Sequence, residues 1–111
     1  MTLTPDVVAS RIERRRRQIL VHSILYYRLD SPLIPDSAYD AWAQELIRLQ
    51  AEYPDVSEGV GYMRDAFRTF TSSTGFDLPL DDERANAVAR DLLTFSRLSS
   101  QTQTLPKGPK R

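Results

Sequence analysis

The chain has 111 residues, enough for one domain with a modest core and no covalent staples. Fifteen basic and fifteen acidic residues cancel, so no global field draws it toward nucleic acid. With no cysteine and His22 as its one histidine, the composition excludes disulfides, thiolate nucleophiles and cysteine- or histidine-rich metal sites.

No apolar run approaches the ~20 residues that span a bilayer, and the N-terminus lacks the apolar stretch of a signal peptide. The expected compartment is the cytoplasm. Charge is unevenly spread, however. Residues 11–17 hold five arginines against Glu13, and residues 36–58 hold six acids against Arg48. Lysine occurs only at Lys107 and Lys110.

Thr4-Pro5-Asp6 reads as a helix start: a hydroxyl N-cap, proline at the first helical position, and an acid facing the macrodipole. The helix is expected to run to about Leu29, with Val8, Ile12, Ile19, Leu20, Ile24 and Tyr27 on its apolar side. The segment ERRRRQ (13–18) is polar all round and is expected to project past the core. Asp30-Ser31-Pro32 ends the helix, because a residue before proline avoids the α region.

PLIP (32–35) then forms a corner stiffened by two prolines. Asp36 reads as the N-cap of a second helix from Ser37 to about Glu52. Tyr39, Trp42, Ala43, Leu46 and Leu49 recur at helical spacing and face inward. Tyr53-Pro54-Asp55 closes that helix. A third is expected over Gly61–Phe70, stopped by TSSTG (71–75), with Gly75 suited to a left-handed position. A fourth, capped by Asp81 or Asp82, carries Ala85, Val88, Ala89, Leu92 and Phe95 as its apolar stripe. The reading is all-α: a small bundle of about four helices in one domain, residues 1–98. Residues 99–111 are expected to be a disordered basic tail.

Four candidate sites compete on chemistry. Arg14, Arg15, Arg16 and Arg17 surround a helix. They read either as phosphate contacts for nucleic acid or as a solvated helix end, and the missing aromatic interleaving favours the second. His22, without a partner of known position, reads as structural or surface. TSSTG lacks the glycine density and lysine of a phosphate loop and reads as a turn. The corner YYRLDSPLIPDSAYD (26–40) is different in kind. Asp36 and Asp40 share a helix face, Tyr39 lies beside them, and Tyr26 and Tyr27 arrive across the corner. Together they form either a slot with aromatic walls and a carboxylate floor, suited to a cationic ring with hydroxyls, or a core corner with an N-cap. Chemistry alone leaves both open.

The stretch ILYYRLDSPLIPDSAYDAWAQELIRLQAEYPDV (24–56), within a match over about residues 20–56, resembles the amino-terminal helical subdomain, called Ia, of bacterial NAD⁺-dependent DNA ligases. It carries the family's tyrosine-rich helix end followed by D-x-P-x-I-x-D-x-x-Y-D. A looser echo is GVG (59–61), where the family often has RVG. The resemblance implies a helix-corner-helix unit that recognises the nicotinamide mononucleotide (NMN) half of NAD⁺. Carried over by position, it places ring and ribose contacts on Tyr26, Tyr27, Asp36, Tyr39 and Asp40. Some ligases carry histidine where Tyr27 stands.

The adenylation motif K-x-D-G is missing, and no lysine precedes Lys107, so ligase activity from this sequence alone is not expected. Neither a metal ligand set nor a catalytic residue is expected. The resulting expectation is a non-catalytic module binding NAD⁺ or NMN, in a DNA replication or repair setting. A detached subdomain of this kind fits a phage gene expressed in a bacterial host. Two alternatives remain: an interaction module docking on a ligase, replication or other host protein, and a nucleic-acid binder using the arginine block.

Overall fold

Thr4 starts the first helix as its chemistry demands: its extended backbone places Oγ1 3.3 Å from the Val7 N–H. The computed structural model describes residues 3–70, 75 and 77–107, with side chains up to 99. Within them lie helices α1 (Pro5–Tyr27), α2 (Asp36–Glu52), α3 (Pro54–Gly59), α4 (Arg64–Phe67) and α5 (Glu83–Lys107), and no strand. The fold is all-α, with five described helices rather than about four.

Helix α1 is the axis of the bundle, packing against α2, α3 and α5. Val8, Ile12, Ile19, Leu20, Ile24 and Leu25 are fully buried along it. Ala43, Leu46 and Leu49 of α2, Phe67, Leu78, and Ala85 and Ala89 of α5 complete the same core. Tyr27, expected on the apolar side, is partly exposed instead.

The expected projection of residues 13–18 past the core is corrected by Arg16, which is 1% exposed. It stands on the face of Ile12 and Leu20, four residues from each, so burial follows from position. Its guanidinium donates to Gln50 Oε1 at 3.0 Å and to the carbonyls of Val60 (2.8 Å) and Tyr62 (2.9 Å). It also donates to the Ser57 carbonyl (3.1 Å) and to Ser57 Oγ (2.9 Å). Five donors thereby meet five acceptors, several of them carbonyls at the C-terminal end of α3, where a cation is favoured. Burial lowers the pKa of Arg16, and Glu58 opposes that shift.

The third helix also differs from expectation. Pro54, read as closing α2, occupies the first turn of α3, where its missing N–H costs nothing. Met63 is left-handed (φ 51°), which breaks any helix from Gly61 and leaves only the short α4. Gly75 is described with no left-handed φ, whereas 71–74 of the expected turn lie outside the described residues.

Asp82 caps α5, accepting from the Ala85 N–H at 2.9 Å. The buried face of α5 is rotated from the expected stripe. Ala85, Asn86 and Ala89 are buried and Leu93 packs on the core, while Val88, Leu92 and Phe95 are exposed, Phe95 by 70%. Asn86 sets this rotation: its Nδ2 donates to the carbonyls of Leu80 (3.0 Å) and Asp82 (2.7 Å). The helix continues to Lys107 through most of the stretch expected as a tail, and 108–111 lie outside the described residues.

Candidate functional site

Where α1 ends, the chain must reverse within eight residues to begin α2. Leu29 N–H reaches the Ile24 carbonyl at 3.0 Å and Ser31 N–H the Leu25 carbonyl at 2.8 Å, with Asp30 left-handed (φ 50°) between them. Aspartate tolerates that conformation better than most residues. The reversal brings the last turn of α1 against the first turn of α2, leaving a pocket of about 200 Å³. Pro32, Leu33 and Ile34 of the corner form part of its wall.

All five residues singled out by the sequence line this pocket: Tyr26, Tyr27, Asp36, Tyr39 and Asp40. Tyr26 and Tyr27 meet edge to face, with ring centroids 4.8 Å apart at 89°, and are 51% and 37% exposed. Tyr39 is half-buried, its hydroxyl 2.8 Å from Ser23 Oγ. Burial raises the pKa of that phenol, with the Ser23 hydrogen bond opposing, so Tyr39 stays protonated at neutral pH. Behind it lies Gly75, where a Cβ would overlap Ser23 Oγ and the Tyr39 hydroxyl.

Asp36 does not cap α2. Pro35 takes the N-cap position in extended conformation (ψ 156°) with no side-chain cap bond, and Asp36 is the first helical residue. Its carboxylate therefore remains available, as does that of Asp40 one turn later. Among the described residues neither makes a hydrogen bond or an ion pair. The corner is thus a slot in which both carboxylates are exposed.

His22, read from the sequence as structural or surface, also lines the pocket. Its ring meets Trp42 edge-on at 5.4 Å, and its buried Nδ1 has no hydrogen-bond partner. Burial lowers its pKa, so the imidazole is neutral near pH 7. The available signal was spacing: His22 precedes Tyr26 by four residues, one helical turn on the same side.

Of the arginine block, Arg14 and Arg17 line a shallow depression together with Ser10, Glu13 and Gln18, and Arg15 and Arg16 point elsewhere. Arg16 is buried, Arg15 pairs with Glu45 at 2.7 Å, and Arg17 pairs with Glu13 at 2.7 Å while covering the Tyr62 ring at 4.1 Å. Arg14 remains exposed. Among the described residues no group of His, Asp and Glu is arranged to hold a metal, and no helix is long and apolar enough to cross a membrane.

The pocket lies inside a segment with known relatives. Residues 5–59 match the family model "DNA ligase-like, N-terminal NAD+-binding domain". These residues belong to the ligase Ia family. The match carries the resemblance, read above over about 20–56, back through all of α1 and on to the end of α3.

A DNA ligase of Syntrophomonas wolfei is 35% identical over 108 residues, covering 82% of this chain and 16% of the relative. One from Pseudothermotoga lettingae is 36% identical over 94 residues, covering 78% and 14%. One from Desulfitobacterium hafniense is 51% identical over 51 residues, covering 46% and 8%. The chain therefore spans only a small part of the length of these relatives. No solved structure matches it.

Proposed function

We propose that this chain is a non-catalytic helical module that binds the nicotinamide half of NAD⁺, or NMN itself. The observation that carries the reading is the convergence of Tyr26, Tyr27, Tyr39, Asp36 and Asp40 on one pocket within the ligase Ia segment. The pyridinium ring is flat and cationic. Tyrosine faces attract it, and unpaired carboxylates stabilise its charge or accept from ribose hydroxyls and the carboxamide. Neutral His22 adds a buried Nδ1 lacking a partner, which the carboxamide would supply.

The volume suits one ring and part of a sugar, below the usual ~300 Å³ of drug-sized sites, so the affinity of this half-site is modest. The adenylation lysine is missing from this sequence, and the pocket holds no lysine, serine or cysteine, its reactive groups being the His22 imidazole, tyrosine hydroxyls and carboxylates. The module would present or sense the ligand rather than transform it.

The test is a titration of ¹⁵N-labelled protein with NMN, NAD⁺ and AMP. Shifts should cluster at residues 26–40 with the first two and not with AMP. Asp36→Asn and Asp40→Asn should each weaken binding by about 5- to 20-fold. Asp40→Asn should leave the melting temperature within a degree or two, and Asp36→Asn should lower it by a few degrees because its charge leaves the dipole field at the start of α2. No shift at millimolar NMN in the parent protein, or unchanged binding in both variants, would remove the site.

A second reading, an interaction module for a ligase, replication or other host protein, draws support from the exposed run Val88, Leu92, Phe95 and Leu98 on α5. The partial exposure of Tyr26 and Tyr27 favours the ligand reading. A nucleic-acid role draws little support, because Arg15, Arg16 and Arg17 are engaged within the fold.

A further inference from the structure

The charge of the pocket is one-sided. Two carboxylates, Asp36 and Asp40, line it, and no arginine or lysine does. Burial lowers the pKa of His22, so that ring adds no positive charge at neutral pH. Arg28 and Arg15 are held elsewhere. Arg28 donates to the Leu80 carbonyl at 3.1 Å and to Asn86 Oδ1 at 3.3 Å, on the α5 side, while Arg15 is held by Glu45 at 2.7 Å.

One positive element does reach the site, the N-terminal dipole of α2. An anion could use it, as phosphates do at many helix starts. Here Asp36 sits in that first turn, so a carboxylate already occupies the favourable field.

The consequence follows from the chemistry of the ligand. NMN has two oppositely charged ends, a pyridinium cation and a 5′-phosphate dianion. The pocket complements the first and offers the second no cation among the described residues. Resting on the nicotinamide reading above, we infer that this chain selects the cationic, unphosphorylated nicotinamide nucleoside over its 5′-phosphate. The phosphate weakens binding because it meets two carboxylates of like sign without a counter-charge. The preferred ligand class is thus a pyridinium riboside. A phosphate-bearing relative would need a basic group from another protein surface to bind as well.

The experiment is the same ¹⁵N titration with nicotinamide riboside, its reduced uncharged form and NMN, each at low and at high salt. The oxidised riboside should bind roughly 3- to 10-fold more tightly than NMN at low ionic strength, the gap narrowing as salt screens the phosphate. The reduced riboside should bind more weakly than the oxidised cation. Asp40→Asn should shrink the riboside-to-NMN ratio toward one, an effect that a general loss of fold would not produce. NMN binding as tightly as the riboside, or more tightly, overturns the inference and leaves the nicotinamide site standing. Absence of shifts at residues 26–40 with all three ligands removes the site itself, and the inference with it.

Discussion

A guanidinium set between Ile12 and Leu20 has to satisfy five donors without water, and Arg16 does so against residues from α2, α3 and the link beyond. Lysine has three donors in a different geometry and cannot reproduce that set. Arg16→Lys is therefore expected to lower stability by about 2–4 kcal/mol, read from urea unfolding. A loss below about 1 kcal/mol would show that the guanidinium and its acceptors are solvated like exposed groups. His22 poses the opposite problem, a buried acceptor or donor without a partner. Its pKa is lower in the folded protein than the ordinary 6.5 because burial disfavours the charged ring. The unfolded chain then binds more protons, so this contribution is fully present above about pH 6.5 and is lost as pH falls toward the folded pKa. Melting temperatures should drop between pH 7.5 and pH 5 by more in the parent than in His22→Phe. Parallel declines in the two proteins would mean that His22 is solvated. Neither residue was legible from its type. Arginine and an isolated histidine usually face solvent, and only their place on the apolar and aromatic sides of α1 pointed inward.

At the scale of elements, local chemistry decided α1 and α2. The Thr4-Pro5-Asp6 start, the proline corner and the inward Ala43, Leu46 and Leu49 all appear where spacing put them. The five pocket residues were legible for the same reason, since they depend on a helix end, a helix start and the turn between them. Elements fixed by long-range contacts were not. The rotation of α5 follows from Asn86 bonding to carbonyls of the preceding corner, and the break after Gly61 from a left-handed methionine that no propensity scale favours. Gly75 belongs to this class as well. Its conformation is ordinary, and what it supplies is space behind the Ser23–Tyr39 hydroxyl pair. Gly75→Ala should push Tyr39 or the 75–80 segment aside, costing about 1–3 kcal/mol. If the segment positions Tyr39, nicotinamide affinity should fall together with stability, and Tyr39→Phe should not restore it. A variant as stable as the parent would mean that the segment yields at no cost and does not brace the pocket.

Across the whole molecule, the segment covered by the family model and the residues after it share one core rather than sitting side by side. The family model ends at 59, while the similarity to the Syntrophomonas wolfei and Pseudothermotoga lettingae ligases covers 82% and 78% of the chain. Arg16 of α1 reaches forward to Val60 and Tyr62, and Phe67, Phe70, Leu78, Ala85 and Ala89 join the cluster built on α1. Residues 60–99 thus cover apolar surface on α1 and α2 that would otherwise meet water. The geometry of the pocket depends on them indirectly, since Gly75 packs behind Tyr39 and Arg28, next to Tyr27, is tied to Leu80 and Asn86. A fragment of residues 1–62 retains every pocket-lining side chain and the acceptors of Arg16, but loses the cover over α1. Without Phe67, Phe70, Leu78, Ala85 and Ala89 in its core, the fragment falls to a size at which a single domain is marginal. It should show helical circular dichroism without a cooperative thermal transition, and its amide spectrum should lose dispersion. On the proposed reading, nicotinamide binding should then weaken even though no pocket-lining residue has been removed. A fragment that melts cooperatively at the parent's temperature and binds equally well would show that the ligase-like unit folds alone, leaving α5 to serve a purpose other than completing the core.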